Sequence, residues 1–296
     1  MKNPLIIDTH QHLWDLKRLK LPWLDGAPAV LKQTYGPKEY ADATAGLNIR
    51  SVYMEVDVAE TDQDAEAEYV IGLSKLRNPM LAAVIGGRPA SSRFTEYVKK
   101  HAATGVVKGV RQVLHNDNIP RGVCLADDFV RGCRTLGEHQ LSFDLCMRPT
   151  ELVDGAKLAG LCPNTRFIVD HCGNADPKAV RKFPGVTEKP WHEMDQWKRD
   201  MDRLAAEPNV ICKISGIMAR APEGWMPEDL APIVNHCLDT FGMQRVVFGG
   251  DWPVCLLGGK LMEWIDALTL IVNPRPEADR RALWSENAIR YYGLTV

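Results

Sequence analysis

The reading of this chain turns on Leu5-Ile6-Ile7-Asp8-Thr9-His10-Gln11-His12. Residues 5–7 are an apolar run with no room for a helix, so they read as a buried strand. His10 and His12 close that strand at i, i+2 spacing. Alternate residues of a strand point to one face, so both imidazoles project from the same side of its C-terminal end. Two neutral ring nitrogens can then converge on one point, as a metal site or a proton-handling site requires. A pair of loop histidines without function is the structural alternative.

Working outward, seven further strand-like runs follow, at 51–57, 80–86, 106–113, 141–146, 166–171, 210–215 and 245–251. Helical stretches separate them, at 62–77, 94–103, 127–139, 149–161, 191–206 and 227–241, with two more at 260–272 and 276–292 closing the chain. The step Asn78-Pro79 breaks the first of these helices. Eight short apolar strands alternating with helices predict a (β/α)8 TIM barrel, distorted and forming a single domain over 1–296. A doubly wound open sheet would carry a glycine-rich phosphate turn after its first strand. His10-Gln11-His12 stands in that place.

The composition fits a globular enzyme. The 296 residues hold 45% hydrophobic and 25% charged side chains with a net charge of −2, which gives no reason to expect nucleic acid or an anionic membrane as partner. No apolar run approaches the roughly 20 residues of a membrane span. Met-Lys-Asn-Pro leads straight into the first strand with no signal-peptide pattern. The eight cysteines are scattered, without a Cys-x-x-Cys, as expected for reduced structural thiols in a cytoplasmic protein.

Active sites of such barrels lie at the C-terminal ends of the strands. Those ends supply His10 and His12, then Glu55 and Asp57, Arg88, Arg111, Asp144 with Cys146, His171, Lys213 with Ser215, and Asp251. Three of the eight histidines fall there; His101, His115, His139, His192 and His236 are expected at the surface. The irregular segment after the first strand, with Pro22, Pro28 and Pro37, is long enough to cover a mouth. Its Trp14 and Trp23 would stack on the apolar face of a ring substrate or, alternatively, anchor the loop to the core. Glu55, Asp144, Lys213 and Trp252 are candidate substrate contacts. Ion pairing inside the barrel is the alternative for the charged ones, and bracing of the turn after Asp251 is the alternative for Trp252.

Asp8-Thr9-His10-Gln11-His12, His171 and Phe248-Gly249-Gly250-Asp251-Trp252-Pro253 resemble the amidohydrolase superfamily. More narrowly, His12-Leu13-Trp14-Asp15, Pro22-Trp23-Leu24, Gly109-Val110-Arg111, Lys213-Ile214-Ser215-Gly216 and Glu286-Asn287-Ala288 resemble the sugar-lactonase branch of its amidohydrolase-2 group. The resemblance implies a divalent metal held by the first-strand histidines and the eighth-strand aspartate. His10, His12 and Asp251 would make a three-ligand Zn site with an open position. Arg111 occupies the fourth strand where relatives place an anionic ligand, and a guanidinium cannot coordinate a cation. A binuclear site is therefore not expected, and the expectation is one weakly held Zn ion or none. Cys146 is read as a buried structural thiol, with a soft fourth ligand as the alternative.

The chemistry implied is hydrolysis of a small-molecule sugar lactone. Asp251 would be the general base, His171 would serve the oxyanion or the leaving oxygen, and Arg111 would hold a carbonyl or hydroxyl bidentately. The alternative is a decarboxylase of the same superfamily, against which the absence of a fifth-strand histidine counts. A non-catalytic barrel that only binds a small ligand is the third reading. Oligomeric state is left open by the sequence.

Overall fold

The computed structural model describes residues 4–76 and 79–296. Residues 1–3, Arg77 and Asn78 lie outside the described residues, and with them the start of the N-terminal reading and half of the Asn78-Pro79 break. Eight parallel strands form one sheet in strict chain order. They are β1 (Leu5–Gln11), β2 (Asn48–Met54), β3 (Met80–Gly86), β4 (Val107–Val113), β5 (Ser142–Cys146), β6 (Arg166–Val169), β7 (Val210–Ile214) and β8 (Val246–Phe248). Helices Gln63–Ser74, Phe94–Ala102, Asp127–Glu138, Leu152–Leu161, Met194–Ala206, Pro227–Phe241 and Leu261–Val272 alternate with them. This is the (β/α)8 barrel expected from the sequence.

Two apolar clusters build it. The larger lies between the outer faces of the strands and the helices, and includes Tyr53, Phe143, Phe167, Phe248, Trp197 and Trp264. The smaller, with Ile7, Val52, Val84, Ile168, Ile211 and Val247, fills the lower interior. Ala288, Tyr292 and Leu294 of the C-terminal segment pack into it and plug the barrel from below. Burial on both faces explains why the strands read as unbroken apolar runs.

Three strands end earlier than their apolar runs suggest. β2 stops at Met54, β6 at Val169 and β8 at Phe248. Beyond them Asp57, His171 and Asp251 take positive φ angles of 49°, 53° and 54°. Such angles turn the backbone out of the ladder and redirect the side chain. The stretch 276–292 is also not one helix: Glu277–Arg281 and Asn287–Tyr292 flank a wider π turn, Ala282–Glu286. Among the described residues no helix is long and apolar enough to cross a membrane. All eight cysteines are buried and free.

The barrel is distorted where β8 meets β1. Among the described residues a single backbone bridge, Gln11 to Trp252 just past β8, spans this seam, with His12 N donating to Trp252 O at 2.8 Å. Side chains close the rest of the seam. Thr9 Oγ1 donates to Phe248 O at 2.7 Å. Asp8 Oδ1 accepts from His10 N at 2.9 Å and Gly250 N at 2.7 Å, and Oδ2 accepts from Tyr40 Oη at 2.9 Å. A Cβ on residue 250 would lie 2.6 Å from Asp8 Oδ2, so this approach requires glycine. Asp8 thus fixes the backbone on either side of the seam, beside His10 and one residue before Asp251. Replacing Asp8 by Ala should cost on the order of 3 kcal/mol, since buried donors that lose an acceptor cost about 1–3 kcal/mol each. Urea denaturation of the purified variant measures this, and a loss below about 1 kcal/mol would show the seam to be held elsewhere.

Candidate active site

Four side chains from three strand ends converge at the upper end of the barrel. Asp251 Oδ1 lies 3.7 Å from His10 Nε2, 3.5 Å from His12 Nε2 and 4.0 Å from His171 Nε2. The His10 ring centroid is 4.8 Å from that of His12 and 4.4 Å from that of His171. Behind His171, its Nδ1 is 3.0 Å from Ser215 Oγ. Gly216, at φ 71°, lets the β7 loop pass this ring, because a Cβ there would sit 2.1 Å from His171 Nδ1.

Hydrogen-bond partners fix two tautomers. His12 Nδ1 lies 2.9 Å from Met54 O. A carbonyl only accepts, so Nδ1 carries the proton and Nε2 presents a lone pair to Asp251. Arg111 Nη1 lies 3.2 Å from His10 Nε2, and a guanidinium only donates, so this nitrogen is an acceptor as well. Its other nitrogen, Nδ1, is 3.6 Å from Asp170 Oδ1 and makes no hydrogen bond. Burial, then Lys213 and His171, hold His10 well below the usual imidazole pKa, and burial also lowers His171.

His12 Nε2 and Asp251 Oδ1 therefore face each other with no donor between them, and His10 Nε2, whose lone pair is given to Arg111, adjoins both and would turn to a cation on release of that bond. These three atoms all lie within 4.8 Å of each other and are buried. Such a convergence of acceptors fits a divalent cation with three protein ligands and an open position. His10, Asp170 and His171 form a second triple of the same spread. Asp170 is already held by two cations, so the first triple is the better donor set.

Beneath this cluster a chain of buried ion pairs crosses the barrel. Arg111 Nε meets Glu55 Oε1 at 2.6 Å and its Nη1 meets Asp170 Oδ2 at 3.2 Å. Lys213 Nζ lies 2.9 Å from Asp170 Oδ1 and 2.7 Å from Asp144 Oδ2. Burial works against the Asp170 carboxylate, yet Lys213, His10 and Arg111 outweigh it and hold its pKa well below the ordinary value. Asp144 is pushed up to about 7 by burial, which Lys213 only partly offsets. On the flank, Glu66 rises to about 8 through burial and the charge of Glu55.

Above lies a cavity of about 280 Å³. His12, His171, Asp251, Arg111 and Trp23 line it, along with Asp57, His115, Asn116, Cys146, Asn174 and Arg220. Trp23 is fixed by Nε1 donation to Val56 O at 2.8 Å. The other expected substrate contacts lie elsewhere. Trp14 is wholly buried, donates to Gln33 O and packs on Trp23 and Tyr35, so it anchors the loop. Trp252 is buried against Tyr35 and Tyr40. Glu55, Asp144 and Lys213 are below the cavity in the ion-pair chain, because their strand positions face the barrel axis one layer down. Arg111 borders the cavity, but each of its nitrogens already has a protein partner, with Nη2 donating to Glu55 O at 2.7 Å. Its fork is turned to Glu55 and not to a ligand.

The sequence reading passed over several residues that matter here. Asp170 immediately precedes His171 just past the end of β6 and carries the same signal of an ionisable strand end. His115 was expected at the surface, but it lines the cavity with Nδ1 3.4 Å from Cys146 Sγ. His101 and His192 are likewise buried. Arg220 and Asn174 come from loops after β7 and β6, where no periodic pattern marks them.

The chain belongs to the amidohydrolase family, whose model matches residues 7–294. It is similar to L-fucono-1,5-lactonase of Burkholderia multivorans, at 28% identity covering 98% of this chain and 96% of that protein. L-fucono-1,5-lactonase of Burkholderia ambifaria is 26% identical, covering 86% and 82% of the two chains. Among solved structures, an amidohydrolase of Burkholderia multivorans with bound Zn matches with a TM-score of 0.85, 26% identity, and coverage of 98% of this chain and 100% of that one. The chain is thus a hydrolase-type amidohydrolase barrel with residues able to hold a metal.

His115 generates a pH prediction. Burial, with the charges of Arg220, His171 and Arg111, lowers its pKa from 6.5 to about 3. Between those values the unfolded chain holds the proton and the folded chain does not, so stability falls as pH falls through that window and is complete above it. One such histidine contributes a slope of up to about 1.4 kcal/mol per pH unit. His115→Gln should therefore flatten the decline of unfolding free energy between pH 6 and pH 4 by up to this amount, measured by denaturant titration. An unchanged slope would mean that His115 is protonated in the folded protein.

Proposed function

We propose that this protein opens the ring of a sugar-acid lactone by attack of water, with Asp251 as general base. The observation that carries the reading is the convergence of Asp251 Oδ1 on the Nε2 atoms of His10, His12 and His171 within 4.0 Å, beside a small open cavity. The similarity to two fuconolactonases supports the substrate class. In this reading residues 1–296 form one catalytic domain acting in the cytoplasm.

The steps follow from the side chains present. Asp251 takes a proton from water as the oxygen adds to the lactone carbonyl. The charge that develops on the carbonyl oxygen is met by the imidazole of His171, whose ring is held from behind by Ser215, while Arg111, its fork kept on Glu55, adds only the field of its charge from the cavity edge. The ring C–O bond then breaks, and the departing alkoxide recovers the proton from Asp251 directly or through His171. Trp23 covers the apolar face of the ring. His10, His12 and Asp251 would hold a single Zn ion, which when bound supplies Lewis-acid polarisation of the carbonyl and acidifies water. A lactone is an activated ester, so the residues ask for less help than an amide would require. The decarboxylase alternative finds no histidine at the end of β5, where Asp144 lies in the ion-pair chain and Cys146 faces His115.

Two measurements test this. Asp251→Asn should lower kcat on an aldonolactone by at least about 10²-fold with the melting curve retained, the usual scale of acid–base catalysis. Turnover close to that of the parent would remove Asp251 from the role. Removal of metal by a chelator, followed by elemental analysis, should lower bound Zn and activity together, and His12→Ala should do the same. Full activity of a metal-free preparation would instead make His10 and His12 groups that orient water.

A further inference from the structure

The cations around the site, Arg111 and Lys213 buried and Arg220 half-buried, differ in one respect. Arg111 and Lys213 are each held between two carboxylates. Arg220, on the cavity wall, has no carboxylate within ion-pair distance among the described residues, although it is drawn partly out of water. Burial lowers its pKa from the ordinary guanidinium value, and the acids whose fields reach it, Asp251 and Asp176, do not outweigh this.

What holds Arg220 is neutral. Its guanidinium carbon lies over the Trp191 ring, 4.1 Å from the centroid. Its Nη2 donates to Asn174 Oδ1 at 3.3 Å. The side-chain amide of Asn174 is oriented in turn, since its Nδ2 donates to Met147 O at 2.8 Å, and Trp191 is held by Nε1 donation to the backbone O of Asn174 at 3.2 Å. Nε and Nη1 of Arg220 have no hydrogen-bond acceptor among the described residues. A planar fork, fixed from behind and bordering a cavity, matches a carboxylate geometrically. The same cavity also contains Asp57 and Asp251, which would repel an acid held beside them, and its remaining lining is largely apolar, with Trp23, Val56, Val254 and Leu257.

We propose that Arg220 anchors a carboxylate carried by the substrate, so that the preferred substrate is a lactone bearing an acid group away from the carbonyl that is hydrolysed. This rests on the lactonase reading and narrows its substrate class. The anionic end lies at Arg220 and the scissile carbonyl at Asp251. Hydrolysis adds one water across the ring C–O bond and yields a product with two carboxylates.

Binding and turnover are measured separately. The binding probe is tetrahydropyran-4-carboxylate, which has no bond to hydrolyse, compared by calorimetry with its neutral carboxamide and with inorganic phosphate. The protein should bind the acid at least about 10-fold more tightly than the amide, the scale of one charge-assisted hydrogen bond, and Arg220→Met should abolish the difference. In turnover, the ratio of kcat/KM for a carboxylated δ-lactone to that for its neutral analogue should fall about 10- to 150-fold in Arg220→Met. Arg220→Lys should keep part of that ratio, and thermal melts establish that each variant is folded. Equal binding of acid and amide, an unchanged ratio in Arg220→Met, or tighter binding of phosphate than of the acid would overturn the carboxylate assignment. If the acid binds through Arg220 but no lactone is opened, the lactonase reading fails and the anion site stands. If neutral lactones are opened and the acid does not bind, only the present inference fails.

Discussion

The middle layer of this barrel depends on charge balance. Glu55, Arg111, Asp170, Lys213 and Asp144 form a continuous chain of ion pairs with side chains almost wholly out of water. Buried ion pairs add little net stability compared with apolar packing, but loss of one partner leaves an uncompensated charge costing roughly 3–5 kcal/mol. The chain therefore acts as a constraint on register. β4 to β7 must present Arg111, Asp144, Asp170 and Lys213 at one height, or a charge is stranded. Below it the interior is apolar, filled by Ile7, Val52, Ile168, Ile211 and Val247 and plugged by Tyr292.

This layer sets the electrostatics of the site above it. Burial and the positive potential of Lys213 keep His10 neutral, and Arg111 donates to its Nε2. His12 is oriented independently by Met54 O. Asp8 ties the β1 backbone at His10 to Gly250, which delivers Asp251 to the same point. Three acceptors thus meet because three separate hydrogen-bond systems aim them there. The arrangement also explains why the cation beside the donors is tolerable: Glu55 and Asp170 carry the compensating charge.

The cavity walls follow a different logic. They come from loops after β1, β2, β4, β6, β7 and β8, and their residues are positioned by contacts with backbone carbonyls and aromatic faces. Trp23 is pinned by Val56 O, Arg220 by Trp191 and Asn174, and Asp57 by Asn116, which donates to its Oδ2 at 2.8 Å, and by Arg88. The barrel floor is fixed by buried ion pairs and the rim mostly by single hydrogen bonds and ring contacts, as expected when loops vary on a common scaffold.

The sequence by itself determined the architecture and the centre of the site. Strands buried on both faces must be apolar runs, so their number and order were legible, and β3 falls on the same residues, Met80–Gly86, as its run. His10, His12, His171 and Asp251 were legible because each lies at or just past the end of its strand, where local geometry fixes the end of the barrel it occupies. Only the tertiary structure decided which strand-end charges reach the cavity and which neutralise one another. Glu55, Asp144 and Lys213 carried the same local signal as Asp251, and it is cross-strand height, a relation between residues distant in sequence, that places them one layer lower. Trp14 and Trp23 were indistinguishable in sequence, since the path of an irregular loop decides which ring faces the core. Arg220 and His115 had no periodic signature at all, because loop residues acquire their neighbours only when the barrel closes.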